Sequence, residues 1–347
     1  MKKNRFTVLI ILILFIFSSC SKKESEGNQK QEQAIPDFAP LTEIVEGRSD
    51  IYLITKVLDS NYWDVVVKGA KEAGEEFGCN VYFSGTYNEM DWQNQEKLLD
   101  KCVSLGADAI ILAPDDSIEL APKIEEIHSQ NIPIILVDTA ANTDGYDICY
   151  MTDNLLAGNE AAQEMLNQFH SLGFSNNDEI TVGILVGSAT SQTINERLAG
   201  FYQYWSLNAP DSWTIISDIK NCNGDIQLGD ELIESLLDDY PNLKGLYGTN
   251  NGPTKALAQV VSEHERNDIV LVGFDYSDEI KSLVESPDYH ASTILQRQYF
   301  MSYKGVQSAL GLINGSSIDI RFEDTGVVTV NNKNLSDPEV KSVIENN

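Results

Sequence analysis

Short apolar runs of strand length alternate with amphipathic segments of helical length from residue 51 to residue 330. In the first repeat, an apolar run from Ile51 to Leu58 precedes a polar turn, and apolar residues then recur at helical spacing up to Gly78. Runs that are apolar on both faces indicate parallel strands covered by crossover helices. This alternation predicts an α/β chain that is built from doubly wound parallel sheets.

The alternation divides into two series of about five βα units each, with a polar break at 152–154. A folded part of about 300 residues also exceeds one typical hydrophobic core. We therefore predict two doubly wound parallel-sheet lobes, joined by a three-strand hinge around a ligand cleft. Residues 49–152 plus 297–322 are predicted to form one lobe, and residues 153–296 plus 323–347 the other.

Residues 1–20 have the features of a lipoprotein signal peptide: a basic start, and an apolar run at 6–17 that is too short to span a membrane. The sequence FSSC that ends at Cys20 resembles a bacterial lipobox, so we predict that Cys20 is lipidated. An ordinary signal peptide with a chance cysteine is the alternative. Residues 21–48 are polar and are predicted to be a disordered tether. These features place the protein in the cell envelope, lipid-anchored on the periplasmic or extracellular face.

The composition argues against several classes of function. The net charge of −29 becomes −32 once the three cations of residues 1–20 are removed, and such a surface repels nucleic acid. Four histidines are scattered, and four cysteines beyond Cys20 lack metal-ligand spacing. Glycine-rich phosphate loops are missing after the predicted strands, and Ala140 occupies the first ligand position of a possible calcium loop. We predict no cofactor, no metal and no catalytic residue.

Eight motifs resemble, in order and spacing, the periplasmic sugar-binding proteins of the ribose-binding type, which are relatives of lactose-repressor effector domains. The resemblance runs from about Ile51 to Val330 and is carried by SNYW with KGA (60–70), GADAIILAP (106–114), IPIILVD (132–138), TDN (152–154), INERLAGF (194–201), LYGTNN (246–251), IVLVGFD (269–275) and STILQ (292–296). It implies the type 1 periplasmic binding protein clamshell. It also implies a monomer that closes on a small ligand, a monosaccharide, and delivers it to an ABC permease.

The resemblance also assigns ligand contacts in the first half of the chain. Tyr62 and Trp63 match aromatics that stack on the sugar ring, although both could instead be core residues of the first helix. Asp138 matches a carboxylate that holds ring hydroxyls, and Thr139 stands where the family has an arginine. Arg197 matches a ligand arginine, with a helix-surface ion pair as the alternative.

Further contacts are implied in the second half. Asn250 and Asp275 match residues that hold hydroxyls, and Gln296 matches an amide beside the hinge, although each could also cap a helix. Weaker candidates are Ser60, Asp115, Thr139 and Asn223. The position near Asn223, where the family often has an aromatic residue, has none. We expect Trp63→Ala and Asp275→Ala each to weaken binding more than tenfold without unfolding the protein.

Three other functions can be weighed against transport. A ligand-sensing protein, acting on a membrane sensor kinase through a sugar or furanosyl signal, is the main alternative. A transcription regulator is disfavoured by the acidic surface and by the lack of a DNA-binding headpiece. A glycosidase that uses Asp138 and Asp275 as paired carboxylates is also disfavoured, because carboxylates at strand ends serve hydroxyl binding equally well. We predict a binding protein and not an enzyme.

Overall fold

The structure, a computed structural model, describes residues 34–88, 91–189 and 191–346. The first series of elements builds a parallel sheet with helices on both faces. In chain order these elements are β1 (Ala39–Pro40), β2 (Asp50–Thr55), α1 (Asn61–Phe77), β3 (Asn80–Gly85), α2 (Trp92–Leu105), β4 (Ala109–Leu112), α3 (Ala121–His128), β5 (Ile134–Val137) and β6 (Ile148–Met151). We call this sheet and its helices lobe 1.

The second series builds a second sheet, which with its helices is lobe 2. Its elements are α4 (Asn154–Ser171), β7 (Ile180–Val186), α5 (Gln192–Asn208), β8 (Trp213–Ile215), β9 (Lys220–Asn221), α6 (Ile226–Asp239), β10 (Gly245–Gly248), α7 (Asn251–Glu263), β11 (Val270–Phe274), α8 (Asp278–Glu285) and β12 (His290–Gln296). The chain then returns to lobe 1 through α9 (Gln298–Ile313) and β13 (Phe322–Asp324), and ends in lobe 2 with β14 (Val327–Asn331) and α10 (Pro338–Glu345).

The strand order confirms the predicted pair of doubly wound sheets. It is β1-β3-β2-β4-β5-β6-β13 in lobe 1 and β14-β12-β11-β10-β7-β8 in lobe 2, where β9 also pairs with β7. All pairs are parallel except those that β1 and β14 make at the sheet edges. The strands β4, β5, β6, β10 and β11 are buried at every position, which explains their continuous apolar runs.

The chain crosses between the lobes three times, after β6, β12 and β13. The third crossing lies beyond the predicted boundary at residue 322, because Phe322–Asp324 pairs with β6 and so still belongs to lobe 1. The helix α10 was not predicted from the sequence.

The described part of the predicted tether is folded onto lobe 1. Ala39–Pro40 forms the edge strand β1 against β3, and Ile35 and Phe38 pack on the lobe 1 core. Thr42 is buried, where its hydroxyl donates to the Cys79 carbonyl and accepts from the Val81 N–H. The tether was predicted to be disordered because residues 21–48 are polar on average, and this average does not show the few apolar residues that pack on lobe 1. The predicted signal peptide, Cys20 and residues 21–33 lie outside the described residues.

Helices α4 and α5 approach closely enough for backbone contact. A Cβ atom added at Gly158 would lie 2.0 Å from the Arg197 carbonyl oxygen, and one at Gly200 would lie 2.0 Å from the Leu155 carbonyl oxygen. Only glycine fits at either position without movement of a helix. This contact fixes where α5 carries Arg197.

Gly158→Ala is therefore expected to lower the free energy of unfolding by about 1–3 kcal/mol, because two helix backbones must move apart. The matched control is Gly311→Ala in α9, where the nearest atoms to an added Cβ lie 3.7 Å away. That change is expected to be neutral or stabilising. Urea denaturation followed by far-UV circular dichroism measures both variants, and equal stability of the two would contradict the packing argument.

Candidate functional site

The carboxyl ends of the strands in both lobes carry most of the predicted ligand residues. Asp138 follows β5 in lobe 1, and Asp275 follows β11 in lobe 2. Both aspartates have a left-handed backbone, with φ of 66° and 67°. Such a conformation costs of the order of 1 kcal/mol for a residue with a Cβ and concentrates at functional sites. The two positions are therefore matched in place and in geometry.

Asp138 is surrounded by donors from its own lobe. The Lys56 ammonium lies 2.8 Å from Asp138 Oδ2, and the Tyr62 hydroxyl donates to Asp138 Oδ1 at 2.6 Å. The Thr139 hydroxyl donates to Oδ2 at 2.7 Å. Although burial alone would raise the pKa of Asp138, the charge and hydrogen bond of Lys56, with help from Tyr62 and Thr139, lower it. Asp138 is thus held as a carboxylate.

Lys56 lies beside Asp138, although the sequence did not single it out as a candidate. Its ammonium also contacts the Thr139 hydroxyl at 2.7 Å, so it brings a cation to the place where the family's arginine is missing. The only signal in the sequence was a charged residue inside the apolar run from Ile51 to Leu58. The positive charge that is missing at Thr139 is therefore supplied by Lys56, which follows the strand β2.

The two adjacent aromatics have different surroundings. Trp63 is 3% exposed and belongs to the apolar core of lobe 1, so the core alternative describes its position. Tyr62 packs on the edge of that core, and the centres of the Tyr62 and Trp63 rings lie 4.9 Å apart. The Tyr62 hydroxyl donates to Asp138. Burial raises the pKa of Tyr62 well above its ordinary value, and the charges of Asp138 and Asp275 raise it further. Tyr62 is thus near the carboxylates of both lobes.

Arg197 is 4% exposed, which excludes the surface ion pair. Its Nε donates to Asn154 Oδ1 at 2.8 Å, and Nη1 donates to the Thr249 carbonyl at 3.0 Å. The guanidinium lies over the Phe274 ring, 4.2 Å from its centre. These contacts fix the planar group beneath the ends of β10 and β11.

Asp275 is 5% exposed and is linked to the hinge through Gln296. The Gln296 amide donates to Asp275 Oδ1 at 3.1 Å, while its carbonyl accepts from Thr152 at 3.1 Å. Burial raises the pKa of Asp275, the Arg197 guanidinium opposes that rise, and the Asp138 charge adds to it. The backbone amide of Asn251 also lowers the pKa of the carboxylate. Gln296 therefore links Asp275 to Thr152 at the first crossing, and the charge of Asp138 influences the pKa of Asp275.

A small cavity of about 30 Å³ lies between the lobes, beside Tyr62 and Asp275. Its walls include Tyr62 and Val65 from lobe 1 and Asp275, Asn251 and Ser277 from lobe 2. This volume is about that of one water molecule. The lobes are thus close together, and a ligand the size of a sugar requires them to separate first.

The remaining candidates lie in different environments. Asn250 precedes α7 without capping it by its side chain, and its amide lies where a Cβ at Gly187 would fall. Ser60 precedes α1, also without a side-chain cap. Asp115 donates its N–H to Gln95, a buried amide that also joins the ends of β2 and β4. Asn223 is exposed on the turn between β9 and α6.

Among the described residues, no cluster of three or more His, Cys, Asp or Glu side chains could hold a metal ion. Cys79, Cys102, Cys149 and Cys222 are buried free thiols. The candidate residues of the two lobes supply two carboxylates, two cations and several amides and hydroxyls, all of which can form hydrogen bonds. Such a set suits a ligand that carries several hydroxyl groups.

Comparison with known proteins gives consistent matches. Residues 51–317 match a family described as periplasmic binding protein domain. The ribose import binding protein of Bacillus subtilis is 20% identical over 91% of this chain and 95% of its own length. A D-apiose import binding protein of Actinobacillus succinogenes is 24% identical over 75% of this chain and 80% of its own length.

Solved structures show the same architecture. A carbohydrate transporter solute-binding protein of Agrobacterium radiobacter, in complex with D-arabinose, has a TM-score of 0.79 and 24% identity, and covers 86% of this chain and 100% of its own. An ABC transporter solute-binding protein of Agrobacterium vitis with bound D-fucose has a TM-score of 0.75 and 26% identity, and covers 84% and 99%.

Proposed function

We propose, from the premise that this chain belongs to the periplasmic binding protein domain family, that its lobes close on a monosaccharide, which it presents to an ABC transporter. The observation that carries this proposal is that Tyr62, whose hydroxyl donates to Asp138 of lobe 1, lines the cavity between the lobes together with Asp275 of lobe 2. A ligand that bonds to both stabilises the closed arrangement, because closure is a population shift.

The relatives support a small sugar as the ligand. Those described above are named for ribose and D-apiose, and the solved structures contain D-arabinose and D-fucose. Each ligand presents several hydroxyls around a small ring or chain. The donors and acceptors between the lobes match that chemistry, with Tyr62, Asp138 and Thr139 from lobe 1 and Arg197, Asn250 and Asp275 from lobe 2.

The roles of these side chains follow from their protein contacts. Asp138 and Asp275 accept hydroxyl hydrogens, Lys56 and Arg197 donate to ligand oxygens, and the Tyr62 ring covers one face of the sugar. Gln296 couples ligand binding to the hinge, because it joins Asp275 to Thr152 at the first crossing. Trp63 supports Tyr62 from the core and does not form the stacking surface itself.

We further propose that a lipid on Cys20 anchors the protein to the cell envelope as a monomer. No described helix is long and apolar enough to cross a membrane. The acidic chain suits a position close to a bilayer without insertion into it. Presentation to a membrane sensor would use the same closed form, but the names of the relatives favour an import system.

A thermal-shift experiment on residues 21–347 tests the proposed function. The panel comprises D-ribose, D-arabinose, D-apiose, D-fucose and xylitol, with free amino acids as negative controls. A bound ligand at a hundred times its dissociation constant stabilises by about 2.7 kcal/mol, which raises the melting temperature by roughly 5 °C. Stabilisation by a monosaccharide supports the proposal. No stabilisation by any sugar or polyol at 10 mM (roughly a hundred times a weak 0.1 mM constant) would contradict it.

Lys56→Met is expected to weaken binding of the best sugar by about tenfold, the value of one hydrogen bond to a charged group. Removal of the ammonium also raises the pKa of Asp138, since burial then dominates. As the pH falls, the variant should therefore lose affinity at a higher pH than the wild type. Isothermal titration between pH 4 and 8 measures both effects, with Lys71→Met on the exposed face of α1 as control. Identical affinity profiles would exclude Lys56 from the site.

A further inference from the structure

A second cavity, about 240 Å³ in volume, lies beside the hinge between α1, the start of α9 and α10. For comparison, an engineered cavity of about 150 Å³ in another protein binds benzene. The cavity beside the hinge can therefore hold a molecule of about ten non-hydrogen atoms. It adjoins the small cavity between the lobes through Val65 and Gln298, which line both.

Both lobes contribute walls to this hinge cavity. Helix α10 belongs to lobe 2, because Val340 and Val343 lie in the lobe 2 core. The end of α10 is also bound to lobe 1, since Lys68 of α1 donates to the Glu345 carbonyl at 3.0 Å and to Asn346 Oδ1 at 3.2 Å. The cavity therefore has this shape only in the lobe arrangement that the structure shows.

The lining of the hinge cavity is amphipathic. Val65, Val343 and Phe300 provide apolar surface, and Phe300 is 39% exposed. Donors lie at the start of α9, where Arg297 occupies the N-cap without a capping side-chain bond. The Arg297 guanidinium has five donors, and its pair with Glu339 uses Nη2.

We propose that the hinge cavity is a second ligand site, adjoining the sugar site, for a small amphipathic monocarboxylate. The apolar part of such a molecule would lie against Val65, Val343 and Phe300, and its carboxylate would lie at the Arg297 guanidinium. Because the walls come from both lobes, a bound molecule favours this arrangement over an open one. Its binding and sugar binding are then thermodynamically coupled in both directions.

The probe is benzoate, which has an apolar ring, a carboxylate and the size that the cavity accepts. Binding to residues 21–347 is measured by ligand-observed NMR titration, with benzyl alcohol as the uncharged analogue. We expect benzoate to bind with a dissociation constant in the millimolar range or below, and at least several-fold more tightly than benzyl alcohol. Arg297→Met should remove that difference, because the donor for the carboxylate is lost.

A cavity-filling variant locates the bound benzoate. Ser342→Trp on the exposed side of α10 places a large ring in the cavity and should weaken benzoate binding at least tenfold. The matched control is Lys341→Trp, one residue earlier on the same helix and not part of the lining, which should leave binding unchanged. Because both positions are exposed, the fold should tolerate both changes.

Several results would overturn the second site. These are absence of benzoate binding, equal binding by the wild type and Ser342→Trp, or full competition between benzoate and a sugar that binds the cleft. Sugar binding is measured on the same preparations. A protein that binds sugar but not benzoate would refute only the hinge site, and one that binds benzoate but no sugar would refute only the proposed function.

Discussion

Replacement of Trp63 by alanine is expected to lower the free energy of unfolding by about 3–5 kcal/mol, because the indole is 3% exposed within the lobe 1 core. The variant leaves a large cavity behind Tyr62 and removes the ring above which the Lys56 ammonium lies at 5.9 Å. From the sequence alone, the variant was expected to lose affinity and to keep its fold. The burial of Trp63 instead predicts a loss of stability. Chemical denaturation followed by far-UV circular dichroism measures the change.

Two further variants separate packing from ligand contact. Trp63→Phe retains most of the buried area and should cost clearly less than the alanine variant. Tyr62→Phe removes only the hydroxyl that donates to Asp138, so it should weaken sugar binding more than it lowers stability. A loss of less than about 1 kcal/mol in Trp63→Ala would show that Trp63 is not part of the core.

Asp275→Asn is expected to weaken sugar binding by about 10- to 150-fold, the value of a hydrogen bond to a charged acceptor. Asparagine tolerates the left-handed backbone at φ 67°, so this change alters charge without adding strain. Alanine there would add backbone strain, and a loss of affinity could then reflect misfolding. Because burial already raises the pKa of Asp275, the asparagine variant should be at least as stable as the wild type.

The control for Asp275→Asn is Asp278→Asn, three residues later on the exposed first turn of α8. Titration calorimetry against the best sugar of the panel should show unchanged affinity for that control. Wild-type affinity in Asp275→Asn would mean that the cleft carboxylate of lobe 2 does not contact the ligand, and the proposed arrangement of the site would then fail.

The sequence predicted the fold well because hydrophobic periodicity is a local signal. Apolar runs such as 132–137 and 269–274 identify buried parallel strands, and the strand ends identify Asp138 and Asp275. Chain topology then brings these ends to one cleft. The edge strand β1 and the helix α10 were missed, because their few apolar residues stand within polar surroundings and their contacts are with distant parts of the chain.

The surroundings of the candidate residues were predicted less well than the fold where two neighbouring residues have opposite surroundings. Tyr62 and Trp63 are consecutive on a helix, so their side chains leave the axis about 100° apart. One can therefore contact the cleft while the other enters the core, and residue type alone does not tell which. Lys56 was missed because its role depends on the position of Asp138 on another strand, which the linear sequence does not give.

The position of β1 determines which lobe is joined directly to the N-terminal part of the chain. The chain enters the fold at the outer edge of lobe 1, where β1 pairs with β3, and it reaches lobe 2 only through the three crossings. The proposed anchor would therefore act on lobe 1 directly and on lobe 2 only through the crossings. If the lobes close as rigid bodies, the distance between fluorophores at residue 39 and at the exposed Leu207 of lobe 2 changes, whereas the distance from residue 39 to Leu105 of lobe 1 stays constant.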